Sequence, residues 1–149
     1  MPADALNWRH SPVEAMARWP DDAPLAALVS GDDGPWSRWS VLAVPGPWRA
    51  MPSGSTAARA TEWLRELARE SRGEGALPGD GGWIVQLGYE LGAAYEPATG
   101  TAALEHDAWP LAQAAPIEAA AVHDARSGRW HRVGGASAHW PAIEAAMAT

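Results

Sequence analysis

Two adjacent pairs of carboxylates, Asp21-Asp22 and Asp32-Asp33, are the first residues to weigh for acid–base chemistry. A catalytic pair needs two different environments, one keeping a proton on its carboxyl and one holding its partner ionised. Adjacent aspartates set among Gly and Pro carry instead the signature of turns, where short acidic side chains bond their own backbone. The histidines are His10, His106, His123, His131 and His139, and no two share the i, i+4 spacing of a helical metal site. His123 and His131 flank an expected hairpin, where they could meet across it or face solvent. Two imidazoles alone lack the third ligand of a zinc site. No Gly-x-Ser-x-Gly elbow is present, and Ser55 reads as a helix cap rather than a nucleophile. Gly79-Asp80-Gly81-Gly82 precedes an expected strand and has no lysine after it, the reverse of a phosphate-cradling loop. Tyr89-Glu90 places a phenol and a carboxylate at an expected switch from strand to helix.

Composition narrows the chemistry further. The 149 residues include no Cys, which removes disulfides, thiolate metal sites and cysteine nucleophiles. All 11 basic residues are Arg, so no lysine is present to form a Schiff base or hold a phosphate. The net charge of −7 and the lack of a basic stripe argue against a nucleic-acid partner. No apolar run reaches the ~18 residues of a membrane helix, and no signal-peptide pattern opens the chain, so a cytoplasmic location is expected. Phe is absent while Trp appears 10 times, so Trp must supply most of the aromatic core. Richness in Ala, Arg, Gly and Pro resembles the codon bias of a GC-rich bacterial genome. The length suits one domain over residues 1–149.

The elements that must position these residues follow from punctuation and periodicity. Ser11-Pro12-Val13-Glu14 predicts a capped helix that Pro20 stops. Leu25–Val29 and Trp36–Val44 predict a hairpin around the Gly31–Pro35 turn cluster, and residues 48–51 a short edge strand. Residues 55–72 predict the clearest helix, with Ala57, Ala60, Leu64, Leu67 and Ala68 on one face and Arg59–Glu62 and Glu66–Arg69 pairs across turns. Ser55 would cap its start, and Gly73 suits the residue after its end. Trp83–Leu87 predicts a strand, residues 88–95 a turn into a short helix, and residues 97–110 a loop. Ile117–Asp124 and Arg129–Val133 predict a second hairpin, and His139–Ala148 a terminal helix. Strands with helices interspersed predict an α+β fold with a mainly antiparallel sheet and flanking helices.

The string Gly81-Gly82-Trp83-Ile84-Val85-Gln86-Leu87-Gly88-Tyr89-Glu90-Leu91-Gly92, followed by Glu96-Pro97, resembles a signature of the chorismate-using synthases. It is most similar to component I of aminodeoxychorismate synthase (para-aminobenzoate synthase), with anthranilate synthase component I the close relative. Leu28-Val29-Ser30-Gly31 and Ser37–Ala43 resemble that family's first hairpin. The resemblance spans roughly residues 10–135 and covers only the family's N-terminal region. It implies one half of a β-sandwich that is not catalytic alone. The chorismate-binding half, with its magnesium-binding glutamates and active-site lysine, would be a separate domain or chain, so this chain needs no cofactor of its own. The resemblance also implies a tryptophan-binding site. Leu28 and Ser30 map onto the family's Leu-Glu-Ser motif, Arg38, Trp39 and Ser40 would shape the pocket, and Tyr89 would join them from the signature string. Val29 stands where anthranilate synthases carry Glu, which favours the aminodeoxychorismate branch over tryptophan feedback control.

The implied role is in folate-precursor (para-aminobenzoate) biosynthesis. The whole enzyme would aminate chorismate with ammonia from a glutaminase partner. The implied partners are therefore the catalytic half, L-tryptophan and, through the full enzyme, the glutaminase. A sheet built to pack on another half should bare an apolar face, expected from residues 25–29, 39–44 and 83–87. Two rival readings are a stand-alone ligand-binding or interaction module of the same fold and an unrelated small enzyme using His123 and His131.

Overall fold

The computed structural model describes residues 4–31, 34, 37–52, 57–71, 77–88, 91–95 and 110–148. In chain order the elements are β1 (Asp4–Leu6), α1 (Pro12–Ala17), β2 (Ala26–Leu28), β3 (Trp39–Pro45), β4 (Arg49–Ala50), α2 (Ala57–Glu70), β5 (Trp83–Leu87), α3 (Leu91–Tyr95), β6 (Ala112–Asp124), β7 (Arg129–Gly134) and α4 (Trp140–Met147). The fold is α+β, with a seven-stranded sheet whose pairings among the described residues are all antiparallel. Among those residues no helix is long and apolar enough to cross a membrane.

β6 organises the sheet. Its 13 residues begin five positions earlier than the expected Ile117. Residues 112–116 pair with β5, with β4 alongside Gln113 and Ala114, whereas residues 117–124 lie between β3 and β7. Ala-rich sequence carries little strand signal, and Pro116 normally argues against a strand interior. Here Pro116 lies where β6 changes partners, beside an irregularity at Val44/Pro45 of β3, and its carbonyl still accepts the Gly46 N–H at 2.8 Å. The missing N–H therefore falls at a seam between two ladders.

Alternation along β3 and β6 separates two cores. On one face Leu42, Val44, Ala119, Ala121 and Trp130 pack beneath α1 and α4, through Ala15, Trp140, Ile143 and Met147. On the other, Val41, Ala43, Ala120, Val122 and Val133 lie under Leu77, Ile84 and Ile117. A third cluster of Met51, Ala60, Leu91 and Ala112 seats α2 and α3. The expected bare face is thus absent from β3, because both of its sides are covered. Exposed apolar side chains persist at Leu28 and Val29 and at Val85 and Leu87.

The helix starts follow local chemistry. Ser11 Oγ accepts from the Glu14 N–H while the Glu14 carboxylate accepts from the Ser11 N–H at 2.8 Å, completing the expected box. α2 buries Ala60 and Leu67, but Ala68 is exposed and Trp63 shares the inner side. Arg69 reaches back two turns to Glu62 at 2.7 Å, and Arg65 lies 3.6 Å from the same carboxylate. Glu62 is thus shared by Arg65 and Arg69, while Glu66 attracts Arg69 by charge, as the expected Glu66–Arg69 spacing allows. The caps expected at Ser55 and Gly73, the aspartates of the Gly31–Pro35 turn and His106 lie outside the described residues.

Candidate ligand-binding site

The residues singled out on the first hairpin come together where β2 ends and β3 begins. Leu28 pairs with Val41 and is 69% exposed. Beyond it, the Ser30 N–H donates to Ser40 Oγ at 3.1 Å, and the Ser30 hydroxyl donates to the Trp39 carbonyl at 2.6 Å. These two bonds continue the strand pairing through side chains after the β2 ladder stops. Ser40 is buried, so its hydroxyl oxygen finds in the Ser30 N–H a partner that water cannot supply. With its proton committed to Trp39, Ser30 keeps a lone pair that a ligand's donor could use, but no proton to offer an incoming carboxylate.

Arg38 is held by the neighbouring strand β6. Its Nε and Nη2 donate to the two carboxylate oxygens of Asp124 at 3.1 and 3.0 Å, a bidentate fork. Its guanidinium also lies 4.2 Å from the centroid of the Trp39 ring. Asp124 accepts a further bond from the Arg126 N–H at 3.0 Å. The Arg38 fork is the main reason its carboxyl falls from 3.8 to about 2, and the Arg126 N–H adds to it. The same hydrogen bonding raises the Arg38 pKa. The cluster therefore stays fully charged through the neutral range. Asp124 is the member of this cluster that no sequence motif singles out. Its only local signal is its place at the start of the Ala125–Gly128 turn, where Gly128 adopts φ +66° and its N–H returns to the Asp124 carbonyl. Arg38 is 86 positions away, and no spacing rule links them.

Tyr89 lies outside the described residues. The geometry brings Ser30 to Trp39 and Ser40 and Arg38 to Trp39, whereas Leu28 pairs with Val41 and Ser40 faces His123 on the opposite side of the sheet. It gives Arg38 and Ser30 structural partners: Arg38 pins β3 to the β6–β7 turn, and Ser30 closes the end of β2.

His123 and His131 do not meet. His123 pairs with Trp130, whereas His131 pairs with Val122, so successive strand positions send the two imidazoles to opposite faces. His123 packs on Trp130 with ring centroids 5.0 Å apart, and burial lowers its pKa. The register thus removes the two-histidine site considered for an enzyme. Among the described residues no group of three or more His, Asp or Glu is placed to hold a metal ion. No known protein family's sequence model matches this chain, and no curated protein matches it.

Proposed function

We propose that this chain serves as the non-catalytic N-terminal region of a chorismate-using synthase of the aminodeoxychorismate synthase component I type, acting in the cytoplasm. The observation that carries the reading is the string from Gly81 to Gly92, together with what its strand exposes. Val85 and Leu87 on β5 are 41% and 51% exposed, and Leu28 on β2 is more exposed still. Val85 and Leu87 share one face of β5 by strand alternation, and it is there that a second half would pack. The catalytic half would hold the magnesium and chorismate and perform the amination, with a glutaminase supplying ammonia. This chain would complete the fold around it. Support for a tryptophan site is narrower: Ser30, Arg38 and Trp39 are neighbours, but Leu28 and Ser40 lie on opposite faces of the sheet and Arg38 already spends its fork on Asp124.

The test is reconstitution. The purified chain is mixed with a separately produced chorismate-binding half of an aminodeoxychorismate synthase, with magnesium, chorismate and an ammonium salt. The expected result is co-elution of the two and aminodeoxychorismate formation above that of the half alone. Failure to associate, with no gain in product, would overturn the proposal.

A further inference from the structure

Trp130 carries three separate attachments of the N-terminal segment. It pairs with Leu6 in the β1–β7 ladder. Its ring lies 5.2 Å from that of Trp8, which stacks in turn on Trp140 at 6.1 Å. Its indole N–H donates to the His10 carbonyl at 2.9 Å. Trp130 itself is buried, so residues 4–10 depend on a hub that water does not reach.

A titratable ring is packed against that hub. His123 is the cross-strand neighbour of Trp130 on β6 and touches it on the side away from β1. The groups around His123 offer its proton little compensation. Ser40 faces it from β3 and is uncharged. Asp124 is next on β6, but its carboxylate is turned to the other face and committed to Arg38. Arg132, two positions along β7 on the Trp130 face, lies over Trp140 at 4.7 Å and adds positive charge to that face. Asp4 pairs with Arg132 from β1. His10 contributes its carbonyl to Trp130, while its ring nitrogen lies 3.3 Å from the Met147 carbonyl. An imidazolium at His123 would thus be partly desolvated against the Trp130 stack, and the Asp124 carboxylate that attracts its charge is already committed to Arg38.

We propose that protonation of His123 loosens the N-terminal segment, making residues 4–10 a pH-sensitive strap over the α1–α4 side of the sheet. At neutral pH the neutral ring supports Trp130 and the strap is seated. In mild acid the charged ring disturbs Trp130, and with it the Leu6, Trp8 and His10 attachments together. Release would uncover the faces of Trp130 and Trp140.

The test is hydrogen exchange of peptides spanning residues 4–10 and of the Trp130 indole N–H, at pH 7.5 and pH 5.5, corrected for intrinsic rates. In the unaltered protein, protection of this segment should fall by about threefold or more in acid, as local opening becomes easier. His123→Phe keeps a ring on Trp130 and should abolish that pH dependence. His123→Gln serves as a second non-titrating variant if the first does not fold. Equal protection at both pH values in the unaltered protein, or a loss that survives in the variants, overturns the proposal.

Discussion

Replacing Asp124 by Ala removes the acceptor of the Arg38 fork and of the Arg126 N–H in one step. The side chain of Asp124 is 10% exposed, whereas that of Arg38 is 39% exposed. Solvent therefore screens one partner, and the pair contributes less than a fully buried one. The fall of the carboxyl from 3.8 to about 2 corresponds to roughly 2 kcal/mol before that screening and roughly 1–2 kcal/mol after it. That figure already includes the bond from the Arg126 N–H. Asp124→Ala is accordingly expected to destabilise the fold by about 1–2 kcal/mol, a fall of roughly 3–7 °C in Tm. Urea unfolding followed by Trp fluorescence measures it, with Trp39 beneath Arg38 as a nearby reporter. The sign of the pH effect is definite, because the folded carboxyl titrates below its unfolded counterpart. Its stabilisation is complete above about pH 4 and is lost as pH falls toward about 2. Asp124→Asn should flatten that acid limb. A loss below ~0.5 kcal/mol, the level of an ordinary exposed pair, would refute this account of the hairpin anchor.

Three other outcomes are expected. Gly134→Ala should cost at least about 2 kcal/mol in denaturant titrations, because residue 134 has φ +86° and an added Cβ would lie 2.6 Å from the Glu118 carbonyl oxygen. A neutral substitution would contradict that packing. Ser11→Ala should lower stability by about 1 kcal/mol by removing the α1 cap, and the loss should be absent if Glu14 alone holds the helix start. Calorimetry of the isolated chain with L-tryptophan should show no binding if the pocket needs residues of a catalytic half. Saturable heat that disappears in Ser30→Ala would instead favour a stand-alone module.

Local chemistry made much of the architecture legible. The Ser11–Glu14 box, the helical stripe of α2 and the Gly-bearing turn at 125–128 each name their element through a short-range rule. What the sequence hid was long-range. β6 is twice a strand, once for each set of partners, and its Ala-Pro composition announces neither role. The covering of β3 brings α1 and α4 to one face and Leu77 and Ile84 to the other, contacts between distant segments that no periodicity encodes. The site shows the same division. Leu28, Ser30 and Arg38–Ser40 share one hairpin and could be grouped from sequence. The Arg38–Asp124 fork joins the ends of distant strands and needed the register of β3 on β6. The two histidines fail for a related reason: their separation is even, but register placed them against Trp130 and Val122, on opposite faces.

The proposed role of this chain is to complete a chorismate-using enzyme without being catalytic itself. The most direct measurement is formation of aminodeoxychorismate by the chain, by the chorismate-binding half, and by the two together. The expected result is no turnover by the chain alone and a clear gain from the mixture, diminished when Leu28 and Val85 are both changed to Glu. Turnover by the isolated chain, or a mixture no more active than the half by itself, would contradict it.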